Sequence, residues 1–361
     1  MRNIQHDTNE SPSFRTHASY LRAFRELALG ENQHEPAEAL KRLAQRTLTA
    51  IPDCTPNQKN NNLEIFSCLR RGWGTEHILR TTHFLVEDSE IIRLANSWAA
   101  VQAYYVFYSA LQALIIAEGK ERPKQHESTQ KQCIDMWVTR SFKLEPWTFA
   151  KAAPEKTSFN AQGFHGAPNR QLSLKGEPHT WSAWQGEQRW DIAARALAST
   201  RDLKYKEGLD KERERKARER KKKWKEDQAK REKVVQKRKI EPKWSKKPNL
   251  TINERTVIDK NLRPISLMDY LYRLRIKANY TDADMYANGP DDDEAARAFG
   301  SNLTLLSSAT LLVHELRISK LIGHQIVLEE IDAWLKRNVV NENGGGLITR
   351  RNIIDNIFSK K

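Results

Sequence analysis

Residues 88–119 read DSEIIRLANSWAAVQAYYVFYSALQALIIAEG, and the fold class turns on this stretch. Ile91, Leu94, Ala95, Trp98, Val101, Tyr105, Tyr108 and Leu111 recur at three- and four-residue steps, as the apolar face of an α-helix does. Ile92, Ala99, Ala103, Phe107, Ala110 and Leu114 widen that face, so the helix is expected to be mostly buried. Asp88 or Ser89 offers a side-chain oxygen to the first free amides, and Gly119 falls where a left-handed residue closes a helix. Such a helix runs roughly 45 Å, enough for the central post of an all-helical domain. Its unbroken apolar part, 110–117, is shorter than the roughly 18 residues of a membrane span.

Working outward, 17–29 and 35–49 read as short amphipathic helices, the second with Pro36 in its first turn, while 1–14 reads as disordered. Residues 63–79 carry a helical pattern with a break at Gly72-Trp73-Gly74. Beyond the post, 126–140 reads as helical again. From 146 to 188 both helix and strand periodicities fail; Gly163, Gly166, Pro168, Gly176 and Pro178 punctuate the segment, and Trp147, Trp181, Trp184 and Trp190 suggest docking by aromatics. A helix resumes at 191–200. The core returns from 265, and 294–322 forms a second long helix whose inner face is Phe299, Leu303, Leu306, Ala309, Leu312, Val313 and Leu316. It is expected to lie beside the post. After a short helix at 326–335, Gly344-Gly345-Gly346 releases a flexible basic tail.

The net charge of +15 is concentrated in one place: 204–247 holds 21 Lys and Arg against 9 Asp and Glu, which is +12 of the total. Within it, Glu212–Lys216, Glu214–Arg218, Glu219–Lys223, Glu226–Lys230 and Asp227–Arg231 are acid-before-base pairs four apart, which support a solvated helix. Apolar residues are too few for a coiled-coil seam. The three cysteines, Cys54, Cys68 and Cys133, are scattered and form no CxxC pair, and the N-terminus lacks the apolar core of a secretion signal. Together these point to a cytoplasmic, reducing environment and away from a membrane or a zinc site. The chain has no nucleophile elbow, phosphate loop or dinucleotide fingerprint, and no cofactor is implied. Asp282, Asp284, Asp291, Asp292, Asp293 and Glu294 read as helix caps before a metal site.

The run WAAVQAYYVFYSALQALIIAEGKERPKQHES, with Lys124-Gln125-His126 in its turn, resembles the tyrosine-rich second helix of HEPN-like domains, and YRLRIKANYTDADMY resembles the segment opening that family's last helix pair. The match covers about 85–135 and 260–322. It implies an all-α, HEPN-like helical bundle, split by an irregular segment and a long basic helix. The resulting organisation is an N-terminal helical segment (1–84), the first half of the core (85–135), the insertion (136–203), the arm (204–247), the second half (255–338) and the tail (339–361). The resemblance also implies a prokaryotic defence or toxin–antitoxin setting, a homodimer through the core, and a cognate defence or antitoxin protein as partner.

Active members of that family carry Arg, four to six residues, then His, and cleave RNA across a dimer. Laid on Tyr280, this sequence has Arg273 but Ala278 at the histidine position, and a methyl group moves no proton. Arg70–His77, Arg71–His77 and Arg317–His324 have the right spacing, but the abundance of Arg makes as many such pairs expected by chance. The catalytic candidates are therefore Arg273, Tyr280, His126 and His77, with His126 equally readable as a turn residue. Tyr104, Tyr105 and Tyr108 read as core, with a base-stacking platform as the alternative.

The nucleic-acid-binding candidates are Arg213, Arg215, Lys216, Arg218, Arg220, Lys221, Lys222, Lys223, Trp224, Lys230, Arg231, Lys237, Arg238 and Lys239, with Trp224 and Trp244 exposed for stacking. RNA is favoured over DNA as the ligand. A divergent ribonuclease, or a scaffold whose arm binds an acidic protein, are the competing readings.

Overall fold

The computed structural model describes residues 12–31, 35–52, 61–153, 159–175, 187–233, 240, 248–338 and 345–359. The fold is all-α. Its helices in order are α1 (Pro12–Leu29), α2 (Pro36–Ala50), α3 (Asn62–Leu85), α4 (Ser89–Ala117), α5 (His126–Cys133), α6 (Gln188–Lys233), α7 (Ile252–Asn261), α8 (Leu267–Ile276), α9 (Asp284–Asn288), α10 (Asp293–Ile322), α11 (His324–Arg337) and α12 (Leu347–Phe358). Three two-residue strands, β1 (Ala150–Lys151), β2 (Phe164–His165) and β3 (Ile265–Ser266), form an antiparallel sheet in the order β2-β1-β3.

The central post is α4. Asp88 caps it by accepting from the Ile91 amide at 3.0 Å, and Gly119 closes the turn after it with φ of +77°. Helices α3 and α10 pack along it. Asn96 Nδ2 donates to the Ala296 carbonyl at 3.1 Å, and Phe107 meets the His314 ring edge-on at 5.6 Å. The two segments carrying the family resemblance thus lie side by side, although the arm and insertion separate them in sequence. An 18-residue window of α4 reaches a mean hydropathy of 1.4, so by composition the helix is long and apolar enough to cross a membrane, contrary to the count over 110–117 alone; 83% of that window is buried by protein.

Several expectations are corrected. Helix α3 runs unbroken through Gly72-Trp73-Gly74, because Gly72 lies where a Cβ would come within 3.1 Å of Leu311. Its missing side chain brings α3 close to α10 and α4. On α4 the outer stripe Ile91, Leu94 and Trp98 is exposed, and the buried face is instead Ile92, Asn96, Ala99, Ala103 and Tyr104. Helix α1 starts at Pro12, within the stretch expected to be disordered, because Phe14 is buried against Phe299 at 5.2 Å. Residues 1–11 lie outside the described residues.

The segment from 136 to 153 belongs to the core. Trp137 and Trp147 are buried, their indole N–H groups donating to His314 Nε2 and Thr310 Oγ1, each at 3.2 Å. Trp181 and Trp184 lie outside the described residues. The boundary at 203/204 falls inside one continuous helix, α6.

The expected flexible tail is likewise a docked helix, α12, and its anchor is Arg350, which is fully buried. Its Nε donates to Glu315 Oε2 at 2.9 Å, and its Nη1 lies 3.2 Å from Glu76 Oε1. Glu76 also takes Arg80 at 3.1 Å and Ser308 Oγ at 2.6 Å, while Trp73 Nε1 donates to Glu315 at 2.8 Å. Burial alone would raise the Glu76 carboxyl; Arg350 and then Arg80 outweigh it and hold the group below the ordinary carboxylate value. Arg350→Met takes the cation from the buried Glu315 carboxylate and leaves Glu76 with Arg80, and is expected to cost about 3–5 kcal/mol in urea denaturation, more than a surface arginine would. A tail that merely hung from the core would give no change.

Buried imidazoles set a second dependence. Both ring nitrogens of His83 are buried without a hydrogen-bond partner among the described residues, and the ring packs directly on Gly300. Burial, then the nearby Arg297 charge, lowers its pKa from 6.5 to about 4. Burial likewise lowers His314 to about 3 and pushes His17 well down. The unfolded chain takes up protons at these rings near pH 6.5, whereas the folded chain does not until about pH 4 at His83. The unfolded state therefore binds more protons in that window, and stability falls as pH drops from 6.5 toward 4. His83 alone contributes on the order of 3 kcal/mol to this loss. Denaturation midpoints measured across the window should fall steadily, and His83→Gln should flatten the slope.

Candidate nucleic-acid interface

The arm and the body share one helix. The first turns of α6 are apolar on one side, and Ile192, Ala193, Ala194, Ala196 and Leu197 are fully buried, packing toward α1. Arg201 then pairs with Asp259 of α7 at 2.8 Å, and Gly208 lets α7 approach closely, with Ile258 within 3.0 Å of a Cβ built there. Further along, Lys216 pairs with Glu254, and this bond, with the Thr251 backbone, holds the Glu254 carboxyl down to about 2. Beyond it the described helix continues to Lys233, roughly 25 Å further.

Its ion pairs differ from the expected set. Glu214–Arg218 and Asp227–Arg231 form as expected. Arg215 instead takes both Glu212 and Glu219, Lys222 takes Glu226, and Lys216 leaves the helix for α7. Arg213 pairs with Asp210. This redistribution leaves Arg220, Lys221, Lys223 and Lys225 exposed, with no acid partner among the described residues, and Lys230 is exposed and unpaired in the same way. Trp224 is half-buried, with its indole nitrogen covered. Lys237, Arg238, Lys239 and Trp244 lie outside the described residues.

A second constellation sits where α4, α5 and α8 meet. Tyr104 is buried, and Tyr105, Tyr108, Tyr272, His126 and Arg275 are half-buried around it. Tyr104 Oη is 2.7 Å from His126 Nδ1. The His126 ring lies 5.0 Å from Tyr108 and 5.7 Å from Tyr272. The Arg275 guanidinium carbon is 5.3 Å from the Tyr105 ring centre and 5.6 Å from those of Tyr104 and Tyr272. Such ring faces attract a cation. Arg275 has no ion pair or hydrogen bond among the described residues, and its Nε is buried without a partner. Lys204 of α6 sits 5.7 Å over Tyr272. Burial first and Arg275 second lower the His126 pKa, so the ring is neutral at pH 7; burial raises the Tyr104 phenol.

Open clefts flank the cluster. One, of about 740 Å³, is lined by Asn61, Glu64, Tyr108, Lys120, Arg122 and Lys124. The other, of about 620 Å³, lies between α6 and the body, lined by Glu127, Lys204, Glu207, Lys211, Arg263 and Tyr272.

The motif-derived candidates fare unevenly. Arg273 points to α6, donating to Ser199 Oγ at 2.8 Å, and so ties two helices together. Tyr280 is 71% exposed on the π-helical turn Lys277–Thr281, and Ala278 beneath it is buried. The two are not brought together. His77 is half-buried on α3 and shares no ring contact or hydrogen bond with the cluster. Arg70 pairs with Glu330, Arg71 meets Cys68 Sγ at 3.1 Å, and Arg317 is buried against the Met136 carbonyl and Glu118.

His126 alone of the four joins a site, and the arginine beside it, Arg275, was missed. The available signal was the step of three from Tyr272, which places both on one helical face. Asp292 caps α10, and Asp282, Asp291 and Asp293 pair with Lys277, Arg15 and Arg93; among the described residues no acidic or His/Cys group could hold a metal.

No family model, curated protein or solved structure matches the chain. The residues themselves carry the argument. His126 should titrate below 6.5 when followed by NMR, and Arg275→Gln should move it part of the way back up, burial accounting for the rest. A value at or above 6.5 in the wild type would mean the cluster is open to water.

Proposed function

We propose that the chain binds nucleic acid, RNA in preference to DNA, through the projecting half of α6. The observation that carries this reading is the exposed run Arg220, Lys221, Lys223 and Lys225, free of acid partners although acids alternate along the helix. A cation already paired releases little counterion when it meets a phosphate, whereas an unpaired one contributes fully. The preference for RNA and the prokaryotic defence or toxin–antitoxin setting rest on the HEPN-like resemblance. A homodimer through the helical core and a cognate defence partner follow from it in the same way. With Ala278 buried at the family's histidine position, the standard cleavage motif is incomplete.

A second reading has its own observation. His126, neutral and half-exposed, and the unpaired Arg275 guanidinium lie in one cluster, a proton acceptor next to a phosphate-binding cation. Metal-independent RNA cleavage lost in His126→Ala and Arg275→Ala, but kept in Arg273→Ala and His77→Ala, would select this ribonuclease reading.

For the leading reading, Lys221→Gln, Lys222→Gln and Lys223→Gln combined should weaken RNA binding about tenfold at low salt. The same variant should make the log–log salt slope shallower by about 2. Thermal stability should stay near wild type, since these side chains are exposed. Binding unchanged in the triple variant would favour an arm that contacts an acidic protein.

A further inference from the structure

The tyrosine cluster does something the arm cannot. We infer that the Tyr105–Tyr108–Tyr272–Arg275 surface is a binding site for single-stranded nucleic acid, taking one phosphate on Arg275 with the neighbouring bases stacked on the phenol rings. The inference rests on the nucleic-acid reading above but concerns a different surface, and it names the strandedness of the ligand.

Four other half-buried guanidinium groups donate to protein oxygens: Arg263 to Asp269, Arg170 to Asp191, Arg351 to Asp332 and Arg273 to Ser199 Oγ. Arg275 faces three aromatic rings and no carboxylate among the described residues. Its N–H groups have no acceptor among the described residues, which leaves a planar fork able to take the oxygens of a phosphodiester.

Tyr105, Tyr108 and Tyr272 each keep part of their surface in solvent, and their centres lie within 6.2 Å of a ring neighbour. Bases in a duplex have their faces covered by one another and can present only edges and backbone to such a surface; unpaired bases can stack on it.

Tyr108 forms a wall of the cleft beside Lys120, Arg122 and Lys124, and Tyr272 a wall of the cleft beside Lys204 and Lys211. Lys204 belongs to α6 and sits over Tyr272, so the track from the 119–124 turn passes across the rings onto the arm. The clefts also hold Glu64, Glu121, Glu127 and Glu207, which leaves little net positive charge there. Affinity at the rings therefore comes from stacking and one phosphate contact, whereas the arm's comes from charge. That difference makes the two surfaces separable by experiment.

The test uses the full chain and fluorescence anisotropy with two probes, a labelled 12-nucleotide oligouridine and a blunt 12-base-pair RNA duplex. Tyr105→Leu and Arg275→Gln should each weaken oligouridine binding on the order of tenfold and change duplex binding less than twofold. Tyr105→Phe, which keeps the ring and loses the hydroxyl, should bind oligouridine as wild type does. Circular dichroism melts establish that each variant is folded; should Tyr105→Leu fail to fold, Arg275→Lys, which keeps the charge and loses the fork, decides with the same expected loss. Equal losses on both probes, or no loss of oligouridine binding, overturn the inference. The triple arm variant separates the two proposals: if it leaves both probes unaffected while the ring variants lose oligouridine, the arm reading falls and this one stands. If the wild type binds neither probe, both fall.

Discussion

Two buried carboxylates and two buried guanidinium groups hold the body of this protein in register. Glu76 and Arg80 come from α3, Glu315 from α10 and Arg350 from α12, and all four side chains are within 3% of complete burial. Apolar packing has no direction, so α3 and α10 could slide past each other with little change in buried area. An ion pair that has lost its water permits no such slide, because any shift leaves a charge uncompensated. The Trp73 indole on Glu315 and the Ser308 hydroxyl on Glu76 use the remaining acceptor positions. The C-terminal helix is thereby part of the core on which α4 rests.

The apolar pattern of α4 and α10 was enough to make the class all-α and to pair these two helices. It was not enough to choose the face of α4. The second half of that helix is buried almost all round, so every apolar stripe fits it equally, and extending one stripe backward placed Ile91, Leu94 and Trp98 inside when they are outside. Residues that look like solvent residues misled in the opposite direction. Arg350 sits in a basic segment after three glycines, and nothing local distinguishes a buried, paired arginine from a tail arginine. Its partners lie in two other helices, and only the assembled fold brings them to it. Gly72 reads as a break for a similar reason: a glycine that makes room for a neighbouring helix has the same letter as one that ends its own.

Reading the site depended on which arginine was chosen. Arg273 and Arg275 are two residues apart, which is about 200° around a helix, so they face nearly opposite sides. Motif spacing selected Arg273, whose work is to join α8 to α6. Helix geometry selects Arg275, since Tyr272 lies one turn before it and both look toward His126 and the tyrosines of α4. The charge of the arm was legible from composition alone. Which of its cations are free was not, because Lys216 is drawn to α7 and Arg215 takes two acids, and both depend on the third dimension.

Because α6 is one helix rooted in the body, the arm cannot swing relative to the cluster as a tethered peptide would. Lys204 over Tyr272 and the free cations starting at Arg220 are separated by sixteen residues of the same helix, a fixed distance of about 24 Å. The molecule therefore carries a ruler. If both proposed surfaces bind, a polymer long enough to span that interval would be held at two points, the second contact coming at the high effective concentration set by a rigid spacer. A shorter one would be held at one point only. Discrimination by length would then arise from the stiffness of a helix, with no residue needed to sense where the ligand ends.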